Sequence, residues 1–163
     1  MTSGLVLRVD DLVGHLEKSR VLTGTLPVSL RLVDSTVEGL IQVSGVVAGT
    51  VDGVQADFTA TATADLTCVR CLLEWSESLE VTGSQHFSGT PDEDGYAIIG
   101  GEIDLSGPVT DEIALGIPLA PLCRRGCRGL CPNCGTDLNT DPCDGHGDDS
   151  DSPFAALKDL FEP

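Results

Sequence analysis

Ala56-Asp57-Phe58-Thr59-Ala60-Thr61-Ala62-Thr63-Ala64-Asp65-Leu66-Thr67-Cys68 alternates without a break. Ala56, Phe58, Ala60, Ala62, Ala64, Leu66 and Cys68 fall on one side of an extended chain, with Asp, Thr and one further Asp filling the other. Successive strand side chains point to opposite faces, so this stretch predicts a half-buried strand. Upstream, Val37, Ile41 and Val43 alternate with Glu38, Gln42 and Ser44, and Asp52-Gly53 supplies a turn between the two runs. Downstream, Leu73, Trp75, Leu79 and Val81 predict a further strand. No helical crossover fits between strands this close, so they pair antiparallel, as an open sheet or a small barrel. Residues 5–9 and 28–33 are expected to join the same sheet, and residues 10–19 to form a short helix carrying His15.

The pattern changes near Pro108. Val109, Glu112, Ile113 and Leu115-Gly116-Ile117 predict a short helix ended by Gly116 and Pro118. A cysteine-rich segment follows. At the end, Ser152 as N-cap and Pro153 at the first helical position predict a C-terminal helix with Phe154, Leu157, Leu160 and Phe161 on one face. The fold class is therefore mainly β (α+β). The expected divisions are an antiparallel β domain over 1–121, a zinc-knuckle segment over 122–146, and an acidic linker with its helix over 147–163.

The chain has 163 residues and a formal net charge of −17, from 9 Lys plus Arg against 26 Asp plus Glu. The excess is uneven: residues 61–122 hold 11 acids and a single base, whereas Arg124, Arg125 and Arg128 cluster among the later cysteines. Nonspecific affinity for nucleic acid comes almost wholly from cations on phosphates, so this balance argues against a protein that wraps RNA unaided. No apolar run approaches the roughly 18 residues of a membrane span, and no signal-peptide pattern opens the chain. The expectation is a cytoplasmic protein, in whose reducing surroundings thiols serve as metal ligands or redox groups.

Seven cysteines are present. Cys68-Val69-Arg70-Cys71 and Cys131-Pro132-Asn133-Cys134-Gly135 are Cys-x-x-Cys pairs, a spacing that aims two thiolates at one ion from a tight turn. Cys123 and Cys127 lie before the second pair, Cys143 and His146 after it. The first choice for a structural zinc site is the compact quartet Cys123, Cys127, Cys131 and Cys134. Two other sets compete: Cys131 and Cys134 with Cys143 and His146, or Cys68 and Cys71 with Cys131 and Cys134. Redox use of the pairs and an iron–sulfur cluster are the rival readings. A thioredoxin-like pair opens a helix, however, whereas Cys68 ends a strand and is followed by another, which places its pair in a hairpin turn. His15, His86 and the paired acids Asp10-Asp11 and Asp148-Asp149 form no catalytic constellation, so no enzyme is expected.

Thr67-Cys68-Val69-Arg70-Cys71-Leu72, the stretch from Ile103-Asp104-Leu105 to Thr110-Asp111-Glu112-Ile113, and Ile117-Pro118-Leu119-Ala120-Pro121-Leu122-Cys123 form one series of landmarks. It continues through Cys127-Arg128-Gly129-Leu130-Cys131-Pro132-Asn133-Cys134-Gly135-Thr136-Asp137-Leu138-Asn139 and closes on Pro153-Phe154-Ala155-Ala156-Leu157-Lys158-Asp159-Leu160. This series resembles the bacterial YceD family, the large ribosomal RNA subunit accumulation proteins. The resemblance implies a non-enzymatic factor in accumulation or processing of 23S rRNA. Family members that keep the first pair without the later cluster favour a self-contained site after Pro121. The family's tail often carries a further Cys-x-Cys, from which Cys143-Asp144-Gly145-His146 departs, and this weakens a ligand role for that stretch. The acidic middle points to a basic ribosomal or processing protein as partner, with contact to precursor 23S rRNA through Arg124, Arg125 and Arg128 as the alternative.

Overall fold

The alternating stretch is the centre of a long antiparallel sheet. The computed structural model describes residues 5–90, 96–143, 145 and 146. Strand β4, Gly53–Thr67, lies between β3, Ser35–Gly49, and β5, Glu74–Ser88, and β2, Ser19–Arg31, completes the order β2-β3-β4-β5. Tight connections join successive strands, and β2 and β5 do not meet, so the sheet is open rather than a barrel. Ala56, Phe58, Ala60, Ala62, Ala64, Leu66 and Cys68 are all buried. From β3, Val37, Ile41 and Val43 join them in the interior.

Between Thr36 and Gln42 the β3–β4 register shifts, β3 taking two more residues than β4 to cover the same span. The extra chain bulges at Gly39, whose φ of 122° suits glycine. The strand expected over 28–33 is the end of β2, which begins earlier, at Ser19.

A second layer covers one face. β1, Val6–Arg8, pairs antiparallel with β6, Glu102–Asp104, and helix α1, Ser106–Gly116, follows directly. The N-terminal strand thus belongs to a separate two-stranded sheet and not to the main one. Its neighbour Leu5 leans on β2 at Gly24, where an added Cβ would come within 2.5 Å of the leucine Cδ2, so the absence of a side chain there sets the approach of the layers. Residues 10–18 form a run of turns instead of a helix, because Gly14 adopts a φ of 76° and the bonds formed are short ones such as Leu12 N–H to Val9 O and His15 N–H to Leu12 O.

Leu5, Val9, Ile103, Leu105, Val109, Ile113 and Ile117 close the core against the alanine stripe of β4. The helix read from Val109 to Gly116 is α1, which starts three residues earlier than Val109. Past Ile117 the core contributes no further aliphatic side chain among the described residues. The helix expected after Ser152 lies outside the described residues. No described helix is long and apolar enough to cross a membrane.

The stripe is small because the covering layer sits close. Replacing Ala60, which is wholly buried, with leucine should overpack this contact and cost about 1–3 kcal/mol. Urea denaturation of the variant would measure it, and a cost near zero would mean that the layers are loosely packed.

Candidate metal centres

Cys68 follows directly on β4 and Cys71 stands three residues on, in the turn that leads to β5. Leu72 N–H bonds to Cys68 O at 2.9 Å, and Cys68 N–H bonds to Leu73 O at 2.8 Å. Around Cys131 the same two bonds recur: Gly135 N–H to Cys131 O at 2.9 Å, and Cys131 N–H to Thr136 O at 2.8 Å. The two pairs are therefore copies of one loop. Its fifth position turns left-handed, with φ of 59° at Leu72 and 73° at Gly135. Glycine adopts that conformation freely, whereas a leucine is strained by it.

Each loop is completed by a second pair from elsewhere in the chain. Cys68, Cys71, Cys123 and Cys127 bring their sulfurs within 4.8 Å of one another, and so do the ligand atoms of Cys131, Cys134, Cys143 and His146. In the first group Cys68 Sγ lies 3.8 Å from Cys127 Sγ, and Cys71 Sγ 3.6 Å from Cys123 Sγ. In the second, Cys143 Sγ lies 3.7 Å from Cys134 Sγ and 3.6 Å from Cys131 Sγ. A tetrahedral ion with metal–sulfur bonds of about 2.3 Å separates its sulfurs by about 3.8 Å, close to these values. A disulfide needs about 2.05 Å, so all seven thiols are free. His146 Nε2 sits 3.2 Å from Cys131 Sγ and 3.1 Å from Cys143 Sγ, somewhat inside the roughly 3.6 Å edge expected for mixed nitrogen and sulfur ligands.

The compact quartet Cys123, Cys127, Cys131 and Cys134 is thus divided between two clusters. The physical reason is that Cys123 and Cys127 are drawn to the hairpin: Val69 N–H bonds to Pro121 O, Arg70 Nη1 donates to Cys127 O at 2.8 Å, and Leu130 N–H bonds to Arg70 O. Gly129, with φ of 77°, lets the chain pass Arg70, since an added Cβ would meet the Arg70 carbonyl at 2.9 Å. Cys131 and Cys134 are thereby left to Cys143 and His146, so the stretch whose ligand role the family pattern weakened sits within a quartet. Cys68 and Cys71 do not meet Cys131 and Cys134. Neither pair opens a helix: the first occupies a hairpin turn, as read from the sequence.

Electrostatics within the clusters favour a cation. Burial pushes the Cys68 thiol up, but N–H donors from Cys123, Cys71 and Arg70 outweigh it and bring the group down to about 6. Burial, followed by the neighbouring sulfurs of Cys71, Cys127 and Cys68, pushes Cys123 up to about 12. In the second cluster the Thr136 hydroxyl and then its N–H lower Cys134 to about 6, while the sulfurs of Cys134 and Cys131 raise His146. Four sulfurs this close repel one another as thiolates, and a bound divalent ion removes that repulsion.

Asn139 supports the first cluster. Its Nδ2 lies 3.6 Å from Cys127 Sγ, and its Oδ1 accepts from Arg124 Nη2 at 2.8 Å and from Arg128 N–H at 2.9 Å. Asp137 in turn accepts from Asn139 N–H and Nδ2. Sequence reasoning misses Asn139; the Asp-x-Asn spacing of a side-chain-stabilised turn is the signal available.

Cobalt titration separates the groupings. The intact chain should take up two equivalents, and both Cys71→Ala and Cys134→Ala should abolish one tetrahedral site each. A Cys71→Ala chain with unchanged cobalt spectra would restore the compact quartet.

The family model described as large ribosomal RNA subunit accumulation protein YceD matches residues 56–161. An uncharacterized protein of Mycobacterium leprae is 37% identical over 114 residues, covering 64% of this chain and 52% of the relative. One from Mycobacterium tuberculosis is 31% identical over 121 residues, covering 69% and 58% respectively. The chain thus spans little more than half the length of these mycobacterial relatives. A chloroplastic protein of Arabidopsis thaliana, named large ribosomal RNA subunit accumulation protein YCED homolog 1, is 34% identical over 61 residues, covering 37% of this chain and 19% of the relative. No solved structure matches.

Proposed function

The chain belongs to the YceD family, and from that premise we propose that it supports accumulation of large-subunit ribosomal RNA, 23S in bacteria, without catalysing a reaction. In this reading it holds a basic ribosomal or processing protein on its acidic sheet. One structural zinc ion, held by Cys68, Cys71, Cys123 and Cys127, fixes the segment after Pro121 to that sheet, and a second, held by Cys131, Cys134, Cys143 and His146, braces the segment itself.

The observation that carries the partner reading is a set of unneutralised carboxylates. Asp57 and Asp65 on β4, and Glu74, Glu77 and Glu80 on β5, belong to no ion pair among the described residues. Uncompensated charge of one sign steers and retains partners of the other. The arginines near the clusters favour a protein over RNA for the same reason. Zinc with four thiolates leaves two negative charges, and zinc with three thiolates and a neutral imidazole leaves one. Arg70 and Arg124, already engaged in the hydrogen bonds around Cys127, offset that charge together with Arg125 and Arg128. Little net positive charge then remains to attract phosphate.

Zinc is favoured over iron–sulfur or redox use by the donor sets. One group offers four thiols and the other three thiols with an imidazole, and closed sets of this kind, with no open position, suit a structural zinc ion. Metal analysis of protein purified without oxygen should find two zinc ions per chain and no visible absorbance; a brown protein with inorganic sulfide would reverse the assignment.

Loss of the protein should deplete large-subunit rRNA in cells. Affinity capture should retrieve a basic protein that survives ribonuclease treatment and persists when Arg124, Arg125 and Arg128 are all changed to alanine. Capture that disappears with ribonuclease and in the triple variant would make RNA the direct partner.

A further inference from the structure

Strand β5 is the last strand of the main sheet, and most of its outer edge is unpaired. The only backbone pairing there among the described residues is at its far end, where Ser88 bridges Ala97 and Ile98 N–H bonds to Ser88 O. The opposite edge differs. β2 contains Pro27, which has no N–H to offer, and it carries Arg20 and Arg31, each paired with an acid. A free strand edge is a row of backbone donors and acceptors ready for another extended chain.

What that chain can be follows from the charges along β5. The register sets Glu74 and Glu80 on the open face with Ser76, Ser78 and Thr82, beside Asp65, Thr63, Thr61 and Thr59 of β4. Glu77 lies on the other face, next to Trp75, whose Nε1 donates to Glu77 Oε2 at 3.1 Å. β5 holds no Lys or Arg. A second copy of β5 would set glutamates against glutamates, so these acids disfavour self-pairing; like charges opposed across strands destabilise and unlike charges stabilise. A basic segment meets the reverse situation at Glu74 and Glu80 on the open face and at Glu77 on the other, which α1 covers only farther along, at Leu79 and Val81.

We propose that residues 74–82 of β5 accept a lysine- or arginine-rich extended segment of a basic protein as a fifth strand. Backbone hydrogen bonds along the edge hold the segment, and Glu74, Glu77 and Glu80 select for its cations. This localises the partner reading above and rests on it.

The probe is a synthetic octapeptide of alternating lysine and valine, capped at both ends. Trp75 is the chain's one tryptophan and lies on β5, so its fluorescence reports occupancy. The expected result is saturable binding that slows amide exchange in residues 74–82. It should weaken at least tenfold when Glu74, Glu77 and Glu80 are all changed to lysine. A copy of the peptide N-methylated at every bond keeps its charge but cannot pair with an edge, so it should not bind; this arm needs no variant to fold.

Equal binding of the methylated peptide, unchanged exchange in β5, or no binding of the parent peptide overturns the proposal. So does an RNA oligonucleotide that protects the same amides in the peptide's place. If the triple-lysine chain still captures a basic protein from cells, the edge is wrong and the partner reading stands. If the unaltered chain captures none, the partner reading itself fails.

Discussion

The contact between two sulfur pairs more than fifty positions apart is the constraint on which the second half of this protein depends. Cys68 and Cys127 are 59 residues apart in sequence, and Cys71 and Cys123 are 52. Among the described residues the main aliphatic core ends at Ile117, so those after it add no side chain to that cluster. The sulfur quartet takes over where the core stops, helped by Arg70, which reaches across with both its guanidinium and its carbonyl. Small folds that lack enough apolar surface commonly resort to a metal in this way, and ion binding then becomes part of the folding free energy.

The sheet gives that quartet its fixed support. β4 is paired on both sides along most of its length, and its inward alanines let the second layer come close. Cys68 is the last inward-facing residue of the same alternation, and it is fully buried. One pattern therefore does two jobs: six positions fill the core and the seventh is a candidate ligand. The outward positions are threonines and aspartates, which leaves a polar surface free of cations beside an open edge.

Much of this was legible in the sequence, and the exceptions have physical causes. Period-two alternation located β4 and the buried residues of β3 because it reports burial on one face of a sheet directly. It could not reveal which strands pair at long range, so the N-terminal strand was placed in the wrong sheet; its partner Glu102–Asp104 is too short to show a period. A short helix is expected over residues 10–19, but Gly14 adopts a left-handed conformation and the stretch forms turns. Spacing identifies both loops as paired-thiol turns, but nearness in sequence groups Cys123 and Cys127 with the second loop, whereas the fold sets them beside the first. Seven cysteines with His146 make eight donors, enough for two complete tetrahedra, and counting the histidine with the thiols was the clue available. The Asn139 bridge depends on three-dimensional proximity to Cys127, which no local pattern carries.

The two clusters differ in the length of chain that each must close. Cys131 through His146 lie within one short segment, so an ion held by them would be captured by a nascent chain as soon as that segment is available. The first cluster needs the β4–β5 hairpin and the segment from Pro121 to Cys127 together, and the entropy of closing so long a loop falls on the fold. An ion bound there discriminates between native and unfolded chains, and it stabilises the native one according to the free-metal concentration. Scarcity of metal would accordingly be felt first as detachment of the tail from the sheet, with the short-range site still loaded. With ions in both clusters, the junction between sheet and tail would be the part of the fold that answers to the supply of metal.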